Sequence, residues 1–324
     1  MVNKNQPIMF SIILPTYNVA EHIDRCLKSC ISQSYSDFEI VIVDDCGSDD
    51  SVKKAEVWAE RDSRIKIVKN SRNLGTFHSR RRGVEEAKGG YIVFLDPDDT
   101  IESNTLELIG NAIGERPVDM ILYGAQEIPA KNRSTLTLPE ASFSNEELLR
   151  NVLLECKFFG YGTAGKAFSR EVLCSAYKVI NADINDRLVY GEDALLFYAV
   201  ALSSGSSVSV PKALYLYCRE PGSITRQKSD QDIRFKSRQI YLVSSYVYKI
   251  LHSQADRPEV AEIAGKKVVG KLLSDAALVK RYMKSRDGSS LYLKSVIESV
   301  RMRGGVADLI RMICYVLTFG CVRF

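Results

Sequence analysis

The sequence predicts an α/β protein with a mainly parallel central sheet. Four apolar segments typical of strands begin at residues 11, 38, 64 and 91, so successive starts lie 27, 26 and 27 residues apart. That spacing accommodates a strand, a helix and two loops, which is the repeat of a parallel sheet. The segments are continuous apolar runs, as expected for strands covered on both faces. Their sequences are SIILP, FEIVIVDD, RIKIVKN and YIVFLD.

A helix is predicted directly after the first strand. Its apolar residues recur at helical spacing from Ile23 to Ile31, which places them on one buried stripe. Asn18 precedes this helix and Glu21 follows Asn18 by three residues, a spacing typical of a capping box. Less regular helices are expected near residues 51–61 and 77–88.

The pattern weakens after about residue 119, where DMILYGA predicts one further strand. Residues 126–145 are polar and indicate loop or edge structure. We expect a first domain of residues 1–225 and a mostly helical C-terminal region of residues 226–324. Within the later part of the first domain, helices are expected near residues 145–157 and 192–203, and strands near residues 207–210 and 213–218.

Composition excludes several classes of protein. The formal net charge of +4 over 324 residues is too small to indicate a protein that binds nucleic acid. Eight cysteines without a CxxC pair, and only three histidines, argue against a zinc site and fit a reducing cytoplasm. A signal peptide is not expected, because the N-terminus has one Lys and no apolar run before Phe10. A transmembrane helix is not expected, because there is no apolar run of 18 residues.

Basic residues are concentrated at the C-terminal end. Residues 281–324 contain eight Lys or Arg against three acidic residues, a net charge of +5, which indicates contact with an anionic surface. The last segment, GGVADLIRMICYVLTFGCVRF, is apolar but short and is interrupted by Arg311. It predicts either a helix at the interface of an anionic membrane or a helix packed on the rest of the protein, and the basic excess favours the first.

Three acidic residues follow the fourth predicted strand in YIVFLDPDDT. Asp96, Asp98 and Asp99 lie within four positions, where their charges repel unless a cation or a fixed donor faces them. One interpretation is a solvated turn, because Pro, Asp and Thr are ordinary turn residues. The other is a divalent-metal site, because carboxylate oxygens suit Mg²⁺ or Mn²⁺ bridging a diphosphate.

Two other strand ends favour the metal site. Ligands of open α/β sheets bind outside the carboxyl ends of the strands. The first strand ends beside Tyr17, which could stack on a base, and the second ends in Asp44 and Asp45, which could accept hydrogen bonds from a base or a ribose. The shared location predicts a site for a nucleotide and a metal ion.

Other phosphate-binding motifs are absent from the sequence. There is no GxGxxG after the first strand and no GxxxxGK[ST], so dinucleotide-binding and P-loop sites are not expected. The basic stretch HSRRRG lies between the third and fourth strands, where Arg80, Arg81 or Arg82 could reach a diphosphate. For two of these three arginines, a solvated helix face is the better interpretation.

Three segments resemble the family 2 glycosyltransferases of the GT-A fold. They are SIILPTYNVAEHIDRCLKSCISQSYSDFEIVIVDDCGSDDS, NLGTFHSRRRGVEEAKGGYIVFLDPDD and GEDALLFYA, and the match covers about residues 1–220. The LPTYNV, DDCG and FLDPDD variants look most like bacterial β-1,3-galactosyltransferases of lipooligosaccharide outer cores. The resemblance implies an inverting transfer of a hexose, with galactose favoured, from a UDP-sugar to a glycan or glycolipid hydroxyl at the inner face of the cytoplasmic membrane.

The resemblance also assigns the nucleotide-sugar site. It implies a nucleotide-binding half at residues 1–100 and an acceptor half at residues 101–225, with Thr16 and Tyr17 on the uracil and Asp44 on the base or ribose. Arg80 aligns with an arginine of the family that approaches the nucleotide, and Ser79 stands where the family usually has Ala. The nucleotide-sugar-binding residues implied are Pro15, Thr16, Tyr17, Asp44, Arg80, Asp96 and Arg219.

The same resemblance assigns the metal and the general base. Asp96 and Asp98 correspond to the DxD pair that holds Mn²⁺ or Mg²⁺, Asp99 is a third acid, and which of the last two binds the metal directly stays open. An inverting displacement needs a carboxylate to take the proton of the acceptor hydroxyl. In YGEDALLF, the resemblance implies Asp193 as that base and Glu192 as a supporting group, although acids at a helix start also suit the helix dipole.

Two later segments match the family less closely. YLYCREPGSIT resembles a segment that closes the donor site, where Arg219 could meet the diphosphate and residues 223–225 could form a lid. GKAFSREVL keeps Lys166 where the family often has W-x-K-L, but the Trp is absent, so the acceptor wall is expected to differ.

Two alternatives belong to other functional classes. DPDDT satisfies the DxDx[TV] pattern of haloacid dehalogenase-type phosphatases, with Asp96 as nucleophile, but that class carries its acids on the first strand. A non-catalytic nucleotide-sugar-binding protein would need the strand-end acids but not Asp193.

Overall fold

The structure is a computed structural model of the 324-residue chain. It describes residues 8–114, 117–129, 135–154, 161–180, 184–218, 229–253 and 258–280, with residues 293, 296, 297 and 310. The chain divides into two compact units. The first unit comprises residues 1–148, 158–188 and 199–220, and the second comprises residues 149–157, 189–198 and 221–324. The domain boundary expected near residue 225 stays a prediction.

The first unit is built on one sheet, which has ten strands among the described residues. The four strands predicted at regular spacing all form, and they pair in parallel in the order β3-β2-β1-β4. Their bounds are β1 (Phe10–Thr16), β2 (Phe38–Asp44), β3 (Ile65–Lys69) and β4 (Tyr91–Phe94). The predicted mainly parallel α/β architecture is therefore confirmed for this half of the sheet.

The rest of the sheet is mixed. Its strands are β5 (Thr100–Ile101), β6 (Met120–Ile128), β7 (Thr135–Leu136), β8 (Ala141–Ser144), β9 (Lys166–Ser169) and β10 (Ser206–Cys218). The order continues β4-β9-β6-β10-β5, with β7 beside β6 and β8 beside β10. β9 is antiparallel to both β4 and β6, whereas β10 runs parallel to β6.

Helices cover the sheet of the first unit. Their bounds are α1 (Ile23–Ile31), α2 (Ser51–Ala59), α3 (Thr76–Glu86), α4 (Thr105–Ile113), α5 (Asn145–Leu148) and α6 (Arg170–Ile180). The predicted stripe of α1 is buried, with Ile23, Cys26, Leu27 and Cys30 inside. These side chains join the buried strand residues in one apolar core, which removes their surface from water and stabilises the unit.

The second unit is helical in its described part. A π-helical segment (Leu149–Leu154) and the start of α7 (Glu192–Ser203) belong to it, as do α8 (Asp230–Ser253) and α9 (Glu259–Lys280). Gly265 of α9 lies against Tyr198 and Leu251, where a Cβ atom would collide with both side chains. Over the described part of the chain, every helix is too short or too polar to cross a membrane.

Local features differ from the sequence predictions in three places. α1 begins at Ile23 with no side-chain cap, so the predicted capping box of Asn18 and Glu21 is wrong. The segments at 207–210 and 213–218 form one strand, whose pairing with β6 is irregular after Val210, where Pro211 has no N–H to donate. α4, β9 and α6 were missed: β9 has only four residues, whereas the buried residues of the two helices recur at helical spacing, so their signal was present.

Candidate active site

The carboxyl ends of three adjacent strands form the candidate site in the first unit. β1 lies between β2 and β4, and its last residue, Thr16, pairs with Asp44 at the end of β2. On the other side, Leu95 donates its N–H to the carbonyl of Ile13 at 3.0 Å, which carries the β4 end to the same edge. The sheet thus brings Thr16, Asp44 and the three acids that follow β4 to one edge.

Asp45 organises the loop that follows β3. Its two carboxylate oxygens accept hydrogen bonds from the Asn70 side chain and from the N–H groups of Leu74 and Gly75, each at 2.8 Å. Gly75 has a φ of 88° and precedes the first residue of α3, a conformation that favours glycine. Asp45 therefore fixes where α3 begins, and its oxygens are engaged in this role.

The loops after β1 and β2 are tied to each other. Asn18, with a φ of 52°, accepts a hydrogen bond from the N–H of Ser48 at 2.7 Å. Asp49 accepts from the N–H of Ala20 at 2.8 Å, and the Ser51 hydroxyl accepts from the N–H of Val19 at 2.8 Å. Asn18 therefore supports the loop beside the site instead of capping α1.

The predicted base-binding residues have different exposures. Asp44 is 9% exposed and accepts from the N–H of Cys46 at 2.9 Å. Thr16 is 1% exposed, and its hydroxyl donates to the carbonyl of Leu14 at 3.1 Å, so it shapes the end of β1. Tyr17 is 43% exposed and Pro15 is half-buried. Among these residues, Tyr17 offers the largest surface to a ligand.

Arg80 is the predicted arginine that faces the acids. It is almost fully buried on α3, and its Nη2 donates to Asp96 Oδ1 at 2.9 Å. Arg81 and Arg82 pair instead with Glu85 and Glu86 one turn further along the helix. Arg82 lies on a solvated helix face, as predicted for two of the three arginines, whereas Arg81 is half-buried with its guanidinium 6.0 Å from the centroid of the Tyr177 ring.

The three acids lie on a tight turn. Asp99 donates its N–H to the carbonyl of Asp96 at 2.9 Å, and Arg25 of α1 donates to the carbonyl of Asp98 at 2.7 Å. Two groups of β10 reach the Asp99 carboxylate: the Tyr215 hydroxyl and the Cys218 N–H, both at 2.8 Å. The turn is therefore held by contacts with two elements besides β4.

Burial, with the negative charges of Asp98 and Asp96 beside it, raises the pKa of Asp99 to about 8. The hydrogen bonds from Tyr215 and Cys218 act in the opposite direction and do not cancel the effect. A divalent cation at the turn would supply the missing positive charge.

The donor set of the turn fits a divalent cation. Within the described residues, no three His, Cys, Asp or Glu side chains stand close enough to hold a metal ion by themselves. Mg²⁺ is commonly bound by one or two carboxylates together with the phosphates of a substrate. Asp98 and Asp96 provide such carboxylates beside a predicted diphosphate site, so a ligand set completed by substrate suits this edge.

Glu192 and Asp193 open α7 in the second unit. Gly191 before them has a φ of 82° and accepts from the N–H of Ala194 at 3.1 Å, which marks the helix start. Glu192 is 7% exposed and Asp193 is half-buried. Both residues belong to the second unit, whereas the strand-end acids belong to the first. The catalytic roles of Glu192 and Asp193 stay predictions.

Two further predictions concern Arg219, with the lid that follows it, and Lys166. Arg219 lies outside the described residues, as do residues 223–225 of the predicted lid. Lys166 is fully buried on β9, where its Nζ donates to the carbonyl of Gly162 at 2.5 Å. The phosphatase alternative is not favoured, because the acids follow the fourth strand and Asp96 is paired with Arg80.

Tyr215 is the residue at this edge that sequence reasoning missed. It is fully buried, and its hydroxyl also accepts from the N–H of Asp96 at 3.4 Å. A signal was present, because a buried tyrosine needs a hydrogen-bond partner and YLYCREPGSIT was already associated with the donor site. The strand pairing that places Tyr215 beside the acids is not readable from the sequence.

Replacing Tyr17 with alanine is expected to weaken UDP binding several-fold without unfolding the protein. Stacking of a base on an aromatic ring contributes about 1–3 kcal/mol, and the exposed ring is not part of the core. Calorimetric titration with UDP measures the effect. Tyr248→Ala is the matched control, since Tyr248 is 48% exposed on α8. An unchanged UDP affinity would remove Tyr17 from the site.

Comparison with known proteins identifies the family. A family model described as glycosyl transferase family 2 matches residues 11–174. Glycosyltransferase GlyG of Streptococcus pneumoniae is 24% identical over 230 residues, 68% of this chain and 74% of that protein. A cholesterol galactosyltransferase of Borreliella burgdorferi is 28% identical over 226 residues, 66% of this chain and 61% of that protein.

Solved structures show the same fold. TarS 1–349 of S. aureus in complex with UDP-GlcNAc superposes with a TM-score of 0.65 at 16% identity, covering 97% of this chain and 88% of that one. A mannosyltransferase of Pyrobaculum calidifontis, in complex with GDP-Man and Mn²⁺, gives a TM-score of 0.54 at 14% identity, and the match also covers 97% of this chain and 88% of that one. The GT-A fold is confirmed, and with the family match over about half of its residues, the chain belongs to glycosyl transferase family 2 and is a glycosyltransferase.

Proposed function

We propose that this glycosyltransferase moves a hexose from a UDP-sugar to a hydroxyl of a surface glycan or glycolipid, with inversion at the anomeric carbon. The observation that carries the proposal is the shared edge of β1, β2 and β4. There, Asp44, the Arg80–Asp96 pair and the turn at Asp98 lie together at the position where open α/β sheets bind ligands.

Asp44 and Tyr17 are proposed to hold the nucleoside. A carboxylate accepts hydrogen bonds from base N–H or ribose hydroxyl groups, and the exposed phenol offers a surface for stacking. The nucleotide donors named for TarS and the mannosyltransferase support a nucleotide-sugar donor. UDP is the favoured nucleotide because the end of the first strand, LPTYN, resembles the segment of family 2 glycosyltransferases that contacts uracil.

Asp98 and Asp96 are proposed to hold Mn²⁺ or Mg²⁺. Such a cation, when bound, neutralises negative charge on the diphosphate leaving group. Arg80 places a second positive charge beside Asp96 from a fixed, buried position. The acids and the arginine thus orient the donor and stabilise charge at its diphosphate, while the acceptor is activated separately.

Asp193 is proposed to act as the general base. The acceptor hydroxyl oxygen forms a bond to the anomeric carbon while the bond from that carbon to the diphosphate oxygen breaks. The hydroxyl proton passes to the Asp193 carboxylate, and UDP leaves with the bonding electrons. Glu192, more deeply buried at the same helix start, is proposed to orient the acceptor.

Galactose and a glycolipid acceptor are the favoured substrates. The cholesterol galactosyltransferase of Borreliella burgdorferi supports galactose as the sugar and a lipid as the acceptor, because its name describes the transfer of galactose to a lipid. The FLDPDD and DDCG variants support a lipooligosaccharide acceptor by resemblance alone.

Metal-dependent donor hydrolysis tests the proposal. The protein is incubated with UDP-galactose, UDP-glucose, UDP-GlcNAc and GDP-mannose, each with Mn²⁺ and with EDTA, and the released nucleotide is measured. Release from a UDP-sugar only in the presence of metal is expected. Hydrolysis of p-nitrophenyl phosphate without any sugar release would point to the phosphatase alternative, and UDP binding without turnover to a non-catalytic binding protein.

A peripheral position on the inner face of the cytoplasmic membrane is also proposed. It rests on the net charge of +5 in residues 281–324, which lie outside the described residues apart from four positions. Anionic headgroups attract such a segment by about 1 kcal/mol per basic residue near the surface.

Deleting the residues after about 300 is expected to move the protein from the membrane fraction to the soluble fraction. The apolar segment and its arginines, which supply the interfacial contact, are lost with the deletion. Donor hydrolysis is the control and is expected to survive. A truncated protein that stays on the membrane, or that loses donor hydrolysis, would contradict the interfacial assignment.

A further inference from the structure

Asp99 differs from the other two acids of the turn in how it is held. Both of its carboxylate oxygens accept a hydrogen bond from β10, one from the Tyr215 hydroxyl and one from the Cys218 N–H, each at 2.8 Å. Asp99 is 5% exposed, whereas the Asp96 side chain is 38% exposed and Asp98 is half-buried. The carboxylate of Asp99 faces the protein, and those of its neighbours are more accessible to a ligand.

Tyr215 holds the turn at two points. Its buried hydroxyl donates to Asp99 and accepts from the N–H of Asp96 at 3.4 Å, so one oxygen atom connects the first and last acids of the turn. The ring is fixed in turn by Tyr217, whose centroid lies 4.8 Å away. The N–H of Asp99 closes the turn on the carbonyl of Asp96.

We infer that Asp99 and Tyr215 are positioning residues: they clamp the turn to β10 so that Asp96 and Asp98, and not Asp99, present their carboxylates to the metal–diphosphate. The inference rests on the proposed function for the identity of that ligand. It assigns the third acid to the scaffold and gives a role to a tyrosine outside the acidic motif.

The size of the effect follows from other metal sites. Groups that orient metal ligands without touching the metal commonly change metal affinity by about 10–100-fold when they are removed. Tyr215→Phe keeps the ring and deletes only the hydroxyl. It is expected to weaken Mn²⁺ affinity in the presence of UDP by about 10-fold. Asp99→Asn is expected to lose a similar factor, and the double variant little more, because both changes open the same clamp.

Tyr91→Phe provides a matched control. Tyr91 is also a buried tyrosine of the sheet, and its hydroxyl also makes one donated and one accepted hydrogen bond, to the carbonyl and from the N–H of Val118 at 3.0 and 3.3 Å. Its loss is expected to lower stability comparably and to leave Mn²⁺ affinity unchanged. The difference between the two variants therefore separates positioning from general destabilisation.

Two measurements on the full chain decide the inference. Hydrogen exchange without ligand is expected to show faster exchange at the Asp96 and Asp99 amides in Tyr215→Phe but not in Tyr91→Phe. Calorimetry with UDP and Mn²⁺ then measures affinity. Unchanged exchange at the turn, or unchanged Mn²⁺ affinity in Tyr215→Phe, would overturn the clamp. So would an Asp99→Asn loss far greater than that of Tyr215→Phe, because Asp99 would then be a ligand.

Failure of the clamp and failure of the proposed function give different results. If the wild-type protein shows no metal-dependent UDP binding, the proposed function is wrong. Exchange at the turn still decides whether Tyr215 and Asp99 clamp it, since that measurement needs no ligand.

Discussion

Asp98→Ala is expected to reduce sugar transfer by about 10³-fold or more, close to abolition. Charge stabilisation by a bound metal contributes several kcal/mol, and each 1.36 kcal/mol corresponds to about tenfold in rate. Two groups of β10 engage the Asp99 carboxylate, whereas Asp98 is half-buried on the turn and is the carboxylate we propose as the main metal ligand. EDTA should reduce transfer by the wild-type protein similarly, and Mn²⁺ or Mg²⁺ should restore it.

Asp50→Ala is the control for this variant. Asp50 is an acid of the same unit whose side chain is 67% exposed and pairs with the surface residue Lys53 at 2.7 Å. Its loss should leave transfer and metal dependence unchanged. Full activity of the wild-type protein in chelator would exclude a role for the metal. Full activity of Asp98→Ala with metal present would exclude Asp98 as its main ligand.

Asp193→Asn is expected to reduce transfer by about 10²–10⁴-fold, the usual contribution of general base catalysis. The amide has nearly the same shape as the carboxylate and cannot accept the proton. The affinity for UDP with Mn²⁺ should change little, because Asp193 is proposed to take the proton of the acceptor hydroxyl and not to contact the nucleotide or the metal. Turnover with acceptor and calorimetric affinity are measured on the same preparation.

Glu192→Gln separates the two acids of the α7 start. A smaller loss is expected, together with a higher KM for the acceptor, if Glu192 only orients that substrate. If Asp193→Asn keeps wild-type turnover and Glu192→Gln loses it, the two roles are exchanged. If both variants keep turnover, the base lies elsewhere, and these acids serve the helix dipole alone.

The first half of the sheet was predictable because its signals are local. Four apolar runs at even spacing specify strands, and the helices between them make the pairing parallel, which is what β1 to β4 show. The other half depends on long-range pairing. β9 inserts antiparallel between β4 and β6, although about 40 residues or more separate it from both in sequence. Its short apolar run carries no sign of that partner.

The candidate site was likewise predictable only where its signals are local in the sequence. The acids of β2 and β4 were found because parallel strands end at one edge, and Arg80 because it belongs to a motif. Asn18 was assigned to the wrong partner, since a side chain at a strand end can bond a loop from the next strand as readily as its own helix. Tyr215 was missed because only the fold brings β10 to the turn.

Diffraction at the manganese absorption edge, from crystals grown with UDP and Mn²⁺, shows whether the strand ends hold the metal and the nucleotide. We expect an anomalous peak within coordination distance of the Asp98 carboxylate and of the UDP diphosphate, with the uracil between Tyr17 and Asp44. UDP bound away from the ends of β1, β2 and β4, or a manganese peak that does not touch Asp98, would contradict this expectation.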